Sequence, residues 1–419
     1  MSKKYVRWRN MNLPKVERVE LSTSHIVLRA IAVGVLILIA VLCFGTAIRE
    51  FLNVQPGWQE ITVESDEVNC STDFIFNYDF TDYGGSASAA YKLLTSLYSD
   101  SCENGYRIFS KDYSQEGVYN LAYLNNHVNE PVSVDPVLYD ALKLLVDSGS
   151  RHIYLAPVYV EYNRVFSSSS PEEAAWYDPA QQPVIMEYIQ ELVAFCNDPQ
   201  QINLELLEDG KVQLYVSDAY LAYAEENMLD AFLDFGWMTN AFVIDYLAEQ
   251  LIQGGYTYGY LSSYDGFTRN LDQRESAYSF NLFDDKADTI YVPAVLSCTG
   301  PSSLVFLRDY PMDAKDSWHY MDFGNDYIVT SYIDPADGTS KCYYDNLVSY
   351  SGQAGCAEIL MKMIPSYITD ADNGTLFDAQ AEQIYTVWFE GYTLHHNGSR
   401  DAVALTESGS EVGYTISEN

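Results

Sequence analysis

The sequence predicts an α+β body carried behind a single N-terminal transmembrane helix. Three observations predict it. From Ala30 to Ile48 the chain runs for 19 residues without a charge. Beyond that run, helix-like and strand-like spacings are mixed with no regular strand–helix–strand rhythm. The composition is that of a folded protein, 48% hydrophobic with 36 Tyr, rigid amphipathic side chains suited to an extracellular surface.

The apolar run (AIAVGVLILIAVLCFGTAI) would be about 28 Å long as a helix, close to the hydrocarbon thickness of a bilayer. A buried core helix of this length would carry a polar stripe, and none is present. Seven basic residues precede or border it (Lys3, Lys4, Arg7, Arg9, Lys15, Arg18 and Arg29) against Glu17 and Glu20. Positive flanks stay in the cytoplasm, so the remainder is expected outside, as a single-pass protein of the cell membrane. The predicted organisation is a basic cytoplasmic segment at 1–29, the transmembrane helix at 30–48, a stalk at 49–71 and one extracytoplasmic domain at 72–419. Gly45-Thr46-Ala47 offers a small-residue cleavage site, but a basic leader this long favours a retained anchor over a signal peptide. Leu42 before Cys43 argues against a lipoprotein signal.

The formal net charge is −36, and 57 of the 59 acidic residues lie after residue 29. Such a surface repels phosphates, which excludes nucleic acid as a partner, and it suits a cation-rich exterior. Six cysteines follow the anchor: Cys70, Cys102, Cys196, Cys298, Cys342 and Cys356. Outside the cytoplasm at least one disulfide is expected, with Cys70 and Cys102 the favoured pair because they flank the first strand and helix. No CxxC occurs and the histidines are scattered, so no structural metal site is predicted.

Taken in order, residues 73–80 (DFIFNYDF) predict a strand and Ser86–Leu97 a helix. Ser133–Val146 predicts a second helix, with Ser133 as its cap and Val137, Leu138, Ala141, Leu142 and Leu145 at helical spacing. Residues 165–183 read as an exposed insertion rich in turn formers, and 185–196 as a helix. Ile202–Leu206 and Val212–Val216 flank Glu208-Asp209-Gly210, a hairpin signal. Ala241–Gln253 is the clearest helix of the middle region, ended by Gly254-Gly255. Strands dominate from Tyr256 to Val348. A short helix at 354–364 and strands near 384–394 and 402–405 complete the pattern.

No P-loop, dinucleotide fingerprint, HExxH or GxSxG is present. What does occur is a series of segments in a fixed order. Phe109-Ser110, Leu124-Asn125 and Pro131-Val132-Ser133-Val134 come first. They are followed by Leu233-Asp234-Phe235-Gly236-Trp237-Met238-Thr239-Asn240-Ala241 with Asp245 after it, and by Leu296-Ser297-Cys298-Thr299-Gly300. Ser331-Tyr332-Ile333-Asp334-Pro335-Ala336-Asp337-Gly338, Ala354-Gly355-Cys356-Ala357-Glu358-Ile359 and Val387-Trp388-Phe389-Glu390-Gly391 complete it. Over roughly residues 72–410 this series resembles the ApbE-like family of FAD:protein FMN transferases, with its "FS … LN … PV-V", "LDLGGIAKGYAVD", "VATSG", "HILDPRTG" and "ADALAT" segments.

The resemblance implies an ApbE-like fold and a reaction that breaks the FAD pyrophosphate and joins FMN to a Thr or Ser of a partner protein. Magnesium would offset the developing phosphate charge. It also implies a place outside the membrane and a protein partner in a flavin-linked surface system. It assigns Asp334 a catalytic role, and Asp234, Gly236, Asp245, Thr299 and Gly300 to FAD. The departures fall on the chemistry. The family's metal-binding Asp falls at Gly355 and its Thr at Ile359. Its His before the Asp-Pro turn is Ser331, its Lys is Asn240 and its second Gly is Trp237. The Asp of its "GAFD" segment falls at His152. No metal ligand is therefore assigned. Glu358, three residues past Gly355, could supply a substitute carboxylate only if the helix turned slightly.

Each surviving residue also has a purely structural reading. Asp234 and Asp245 would cap or solvate helix ends, Asp334 to Gly338 is a turn signal in its own right, and His152 and His395-His396 read as satisfied or solvated histidines. The favoured function is a non-catalytic ApbE-like homologue serving as a binding or assembly partner. The alternatives are an active FMN transferase with relocated magnesium ligands, and a surface structural domain without a ligand.

Overall fold

The computed structural model describes residues 26–52, 56–63, 70–81, 85–274, 276–287, 289–312, 314–325, 327–371 and 382–417. It divides into two compact units, Met1–Val54 and Gln55–Asn419. In the first unit one helix, Ile26–Leu52, contains the whole uncharged run. Among the described residues no helix is long and apolar enough to cross a membrane. The described side chains of this helix are Val27 and residues 31–44, all exposed. The basic residues from Lys3 to Arg18 lie outside the described residues.

In the second unit the main layer is a mixed sheet of nine strands among the described residues. They are Trp58–Glu60, Phe74–Asp79, Gly259–Ser263, Phe267–Asn270, Ser302–Arg308, Asn346–Ser351, Tyr385–Glu390, Thr393–His396 and Thr415–Ile416, and they lie side by side in chain order. Every neighbouring pair is antiparallel except the last, where Thr393 faces Thr415 in a parallel pair. The sheet begins inside the stretch read as stalk, because Trp58 pairs with Asp79.

The sheet is covered on both faces, so its central strands are buried throughout rather than alternately. Asn346–Ser351 is buried at all six positions. On one side pack the helices Thr239–Gln253 and Cys356–Tyr367, with Ala87–Phe109 against the first of them. On the other side a three-stranded sheet (Ala277–Asp285, Ile290–Thr299, Val403–Leu405) closes over Leu304, Phe306, Val348, Tyr350, Val387 and Phe389. A smaller sheet of Pro131–Ser133, Lys211–Val216 and Ile202–Leu206 also forms, including the expected hairpin. The architecture is α+β, as predicted.

Several elements differ in extent. The first body helix does not end near Leu97 but runs from Ala87 to Phe109, capped by Ser86, whose hydroxyl accepts the Ala89 N–H. Its second half buries Tyr98, Ser101, Cys102, Gly105, Ile108 and Phe109, a helical stripe that its many polar letters hide. The cap of the next helix, Pro136–Ser148, is Asp135 rather than Ser133. The Asp135 carboxylate accepts the Val137 N–H, and Pro136 sits at the first position, where no N–H is needed. The expected disulfide is also corrected. Cys70 and Cys102 are neighbours, but both are free thiols, and the Cys70 thiol donates to the Cys102 carbonyl at 3.1 Å. His396 is not a solvated hairpin end, since its Nε2 is 2.8 Å from the Tyr350 hydroxyl.

Candidate functional site

The segment 234–240 builds one wall of the main cavity. Asp234 is half-buried, and its carboxylate accepts the Gly236 N–H at 2.9 Å, an Asx-type turn. Gly236 takes φ +54°, and a Cβ there would fall 2.6 Å from the Tyr159 ring, so the close approach requires glycine. A short 3-10 turn, Gly236–Met238, then opens the Thr239–Gln253 helix. It leaves Trp237 buried and edge-on to Tyr332, with ring centroids 4.8 Å apart. The helix Ala156–Phe166 supplies the facing wall. Tyr159 donates to the His152 carbonyl at 3.0 Å and Tyr162 to the Gly338 carbonyl at 2.9 Å.

The cavity enclosed is about 320 Å³. Its apolar lining includes Phe109, Tyr159, Tyr162, Phe166, Trp237 and the half-exposed Trp318. Its charged lining is Asp73, Lys111, Asp112, Asp234 and Asp265. Lys111 pairs with Asp112 at 2.8 Å.

Asp265 sits in the turn between strands Gly259–Ser263 and Phe267–Asn270 and is 9% exposed. Its Oδ2 accepts the Asn240 amide at 2.9 Å and lies 3.8 Å from His319 Nε2. Its Oδ1 has no hydrogen-bond partner. The other imidazole nitrogen, His319 Nδ1, is 3.0 Å from the Ser331 hydroxyl. Burial pushes the Asp265 carboxyl up to about 6, against the Ser263 and Asn240 contacts and the Arg308 charge, which pull it down. Burial, with the Arg308 guanidinium, takes His319 down to about 3. Arg308 is itself fully buried and paired with Asp316. Burial also raises Asp234 and Asp73.

A second constellation lies at the start of the Cys356–Tyr367 helix. Asp245, near the middle of the Thr239–Gln253 helix, reaches across to that N-terminus. One oxygen accepts the Cys356 N–H and the other the Ala357 N–H, both at 2.9 Å. The Arg269 guanidinium donates to the first oxygen at 2.7 Å. The carboxylate thus serves as a cap supplied from another helix, neutralised by a guanidinium. Glu358 lines the same shallow hollow with Asp140, Asp245, Glu249 and Arg269.

The sequence-derived residues separate. Asp234 and Gly236 line the main cavity, as do Ser331 and Asn240. Asp245, Thr299, Gly300 and Asp334 do not. Thr299 ends a strand, and Gly300 takes φ +76° in the following turn, its carbonyl accepting the Asn270 amide. Asp334 accepts the Ala336 N–H within its turn and the Lys341 ammonium, both at 2.8 Å. His152 is buried, with Nδ1 3.2 Å from the Ser150 hydroxyl, and that burial pushes it down to about 4. Asp265, His319 and Tyr159 carry no sequence motif. Asp265-Gly266 reads only as a tight turn, and the approach of His319 across the fold leaves no local signal.

No family model and no curated protein matches this sequence. Solved structures do match in shape. An ApbE protein from Thermotoga maritima aligns over 84% of this chain and 98% of its own, at 11% identity and a TM-score of 0.56. The flavin transferase ApbE from Vibrio cholerae aligns over 85% and 99%, at 10% identity and a TM-score of 0.51. The chain has the ApbE fold.

Within the ApbE fold, the positions that the resemblance assigns to metal chemistry can be tested for fit. Gly355 is the cap position of the Cys356–Tyr367 helix, and a Cβ there would fall 2.5 Å from Asp245 Oδ2. Ile359 is fully buried. Among the described residues no three His, Cys, Asp or Glu side chains converge to hold a metal ion. The residues present do not fit magnesium. The main cavity does not fit a pyrophosphate, because its unpaired charged groups are carboxylates.

Proposed function

We propose that this protein is a membrane-anchored, extracytoplasmic relative of the flavin transferases that keeps the ApbE fold as a non-catalytic binding body. The carrying observation is the Asp245–Arg269 pair. The carboxylate beside Gly355 already accepts two helix N–H groups, and a guanidinium holds its charge. A divalent cation would have to displace Arg269 and break the cap. Without a cation to offset phosphate charge, pyrophosphate cleavage loses several kcal/mol of transition-state stabilisation, orders of magnitude in rate. The polar groups that survive around the main cavity are suited to holding a ligand and a partner rather than to phosphoryl transfer.

Anchorage rests on the sequence: the uncharged run from Ala30 to Ile48 and the basic residues before it.

The catalytic half of the reading is tested by incubating the full chain with FAD, Mg²⁺ and an acceptor protein of the flavin transferases. No covalent flavin fluorescence is expected on a denaturing gel. A fluorescent band abolished by chelator overturns the non-catalytic reading in favour of an active FMN transferase.

A further inference from the structure

The main cavity combines three features that phosphate or flavin chemistry does not use together. Its walls are aromatic. After Lys111 is paired with Asp112, the charged side chains left on its lining are Asp73, Asp234 and Asp265. And Asp265, a lining residue about nine-tenths buried, has one carboxylate oxygen, Oδ1, with no hydrogen bond. A buried acceptor left unmade costs free energy, and a donor arriving with a ligand would recover it.

We propose that this cavity is a binding site for an organic ammonium ion: an N–H-bearing cation on an aromatic or apolar body. The inference deepens the reading of this fold as a binding body and rests on it. The ammonium supplies the N–H that Asp265 Oδ1 lacks, and a charge-assisted hydrogen bond is stronger than a neutral one. Asp234 and Asp73, on the same lining, add negative charge, tempered by Lys111 near Asp234 and Lys315 near Asp73. The Tyr159, Tyr162 and Trp237 rings enclose the apolar body, and a cation near such faces is further favoured. Trp318, 51% exposed, covers the side nearest Asp265 and Asp73.

The other charges near Asp265 do not cancel this. His319 is neutral at physiological pH. Arg308 is engaged by Asp316. Lys315 lies over the Tyr264 ring, 4.0 Å from its centroid, and lines only the adjoining hollow. Anions are disfavoured by the same carboxylates, so the site discriminates by charge sign rather than by shape alone.

The test is a calorimetric titration of the full chain in detergent with 2-phenylethylammonium, its uncharged analogue 2-phenylethanol and its anionic analogue 3-phenylpropionate. Saturable 1:1 binding of the amine is expected, about tenfold or more tighter than the alcohol, with no binding of the carboxylate. Asp265→Asn, which preserves shape and the Asn240 contact, should weaken the amine about tenfold and leave the alcohol unchanged. Trp318→Ala, at a half-exposed side chain, should weaken the amine several-fold at an unchanged urea midpoint. The proposal is overturned if the amine binds no better than the alcohol, or if neither variant changes its affinity. A covalent flavin band in the transfer assay would remove the non-catalytic reading, whereas failure of this titration would remove the ammonium site alone.

Discussion

Asp265 carries a cost that its immediate partners only partly offset. Its carboxyl holds a proton up to about 6 in the fold, against 3.8 for a free side chain. Above both values it is ionised in either state, and the burial penalty is fully present. As pH falls from 6 towards 3.8, only the folded form takes up the proton, and the penalty is relieved. Asp265→Asn should therefore stabilise the protein by about 2–3 kcal/mol at pH 8, with the gain shrinking to almost nothing near pH 4. Urea denaturation of both proteins at the two pH values reads this directly. An equal difference at both would show that the carboxylate is not the source. A residue that lowers stability while lining a cavity is the pattern expected where function constrains a position. None of this was legible from Asp265-Gly266 in the sequence, because a turn signal says where a chain reverses and not what it faces. Asp234 and Gly236, by contrast, could be picked out, because they lie in a segment that resembles the ApbE-like family, and the structure adds the reason that the close approach of Tyr159 requires glycine there.

At the level of elements, the junction between the Thr239–Gln253 and Cys356–Tyr367 helices shows how a site residue can become a structural one. Asp245 closes two N–H groups that begin the second helix and also neutralises Arg269. Asp245→Ala should open both hydrogen bonds and leave a half-buried guanidinium unpaired, a loss of about 3 kcal/mol. Asp245→Asn should cost less, because its amide oxygen still accepts from one N–H. Urea midpoints at unchanged m-value provide the measurement, and an unperturbed Asp245→Ala would mean that Gly355 begins the helix unaided. The sequence located both helices because their apolar faces repeat at helical spacing. It missed the cap because Asp245 and Cys356 are joined only by tertiary structure. The Ala87–Phe109 helix was cut short for a related reason: its second half buries Ser101 and Gly105, which carry no hydrophobic signal. Asp135 displaced Ser133 as a cap because Pro136 fixes where the helix can start.

Across the whole molecule, single strands such as 73–80 were legible from local alternation, but their pairing was not, because Phe74–Asp79 lies beside Gly259–Ser263 and Asn346–Ser351 beside Tyr385–Glu390, segments far apart in the chain. Nor was the cavity, because it gathers Asp73, Tyr159, Asp234, Asp265 and Ser331 from separate elements. Charge also has a molecular scale. Residues 1–29 hold seven basic and two acidic side chains, while nearly all of the acidic residues follow the apolar run. If the apolar run is the anchor proposed above, the positive-inside rule would hold this leader on the cytoplasmic face and leave the acidic remainder outside. The protein is therefore expected to stay with membranes after carbonate extraction, with its C-terminal body open to added protease in intact cells. Removal of Lys3, Lys4, Arg7 and Arg9 together should weaken this orientation, because the loop charge bias sets it. A mature protein that starts near Ile48 and is released by carbonate would replace the anchor with a cleaved signal. A body protected from protease until the cells are opened would reverse the orientation.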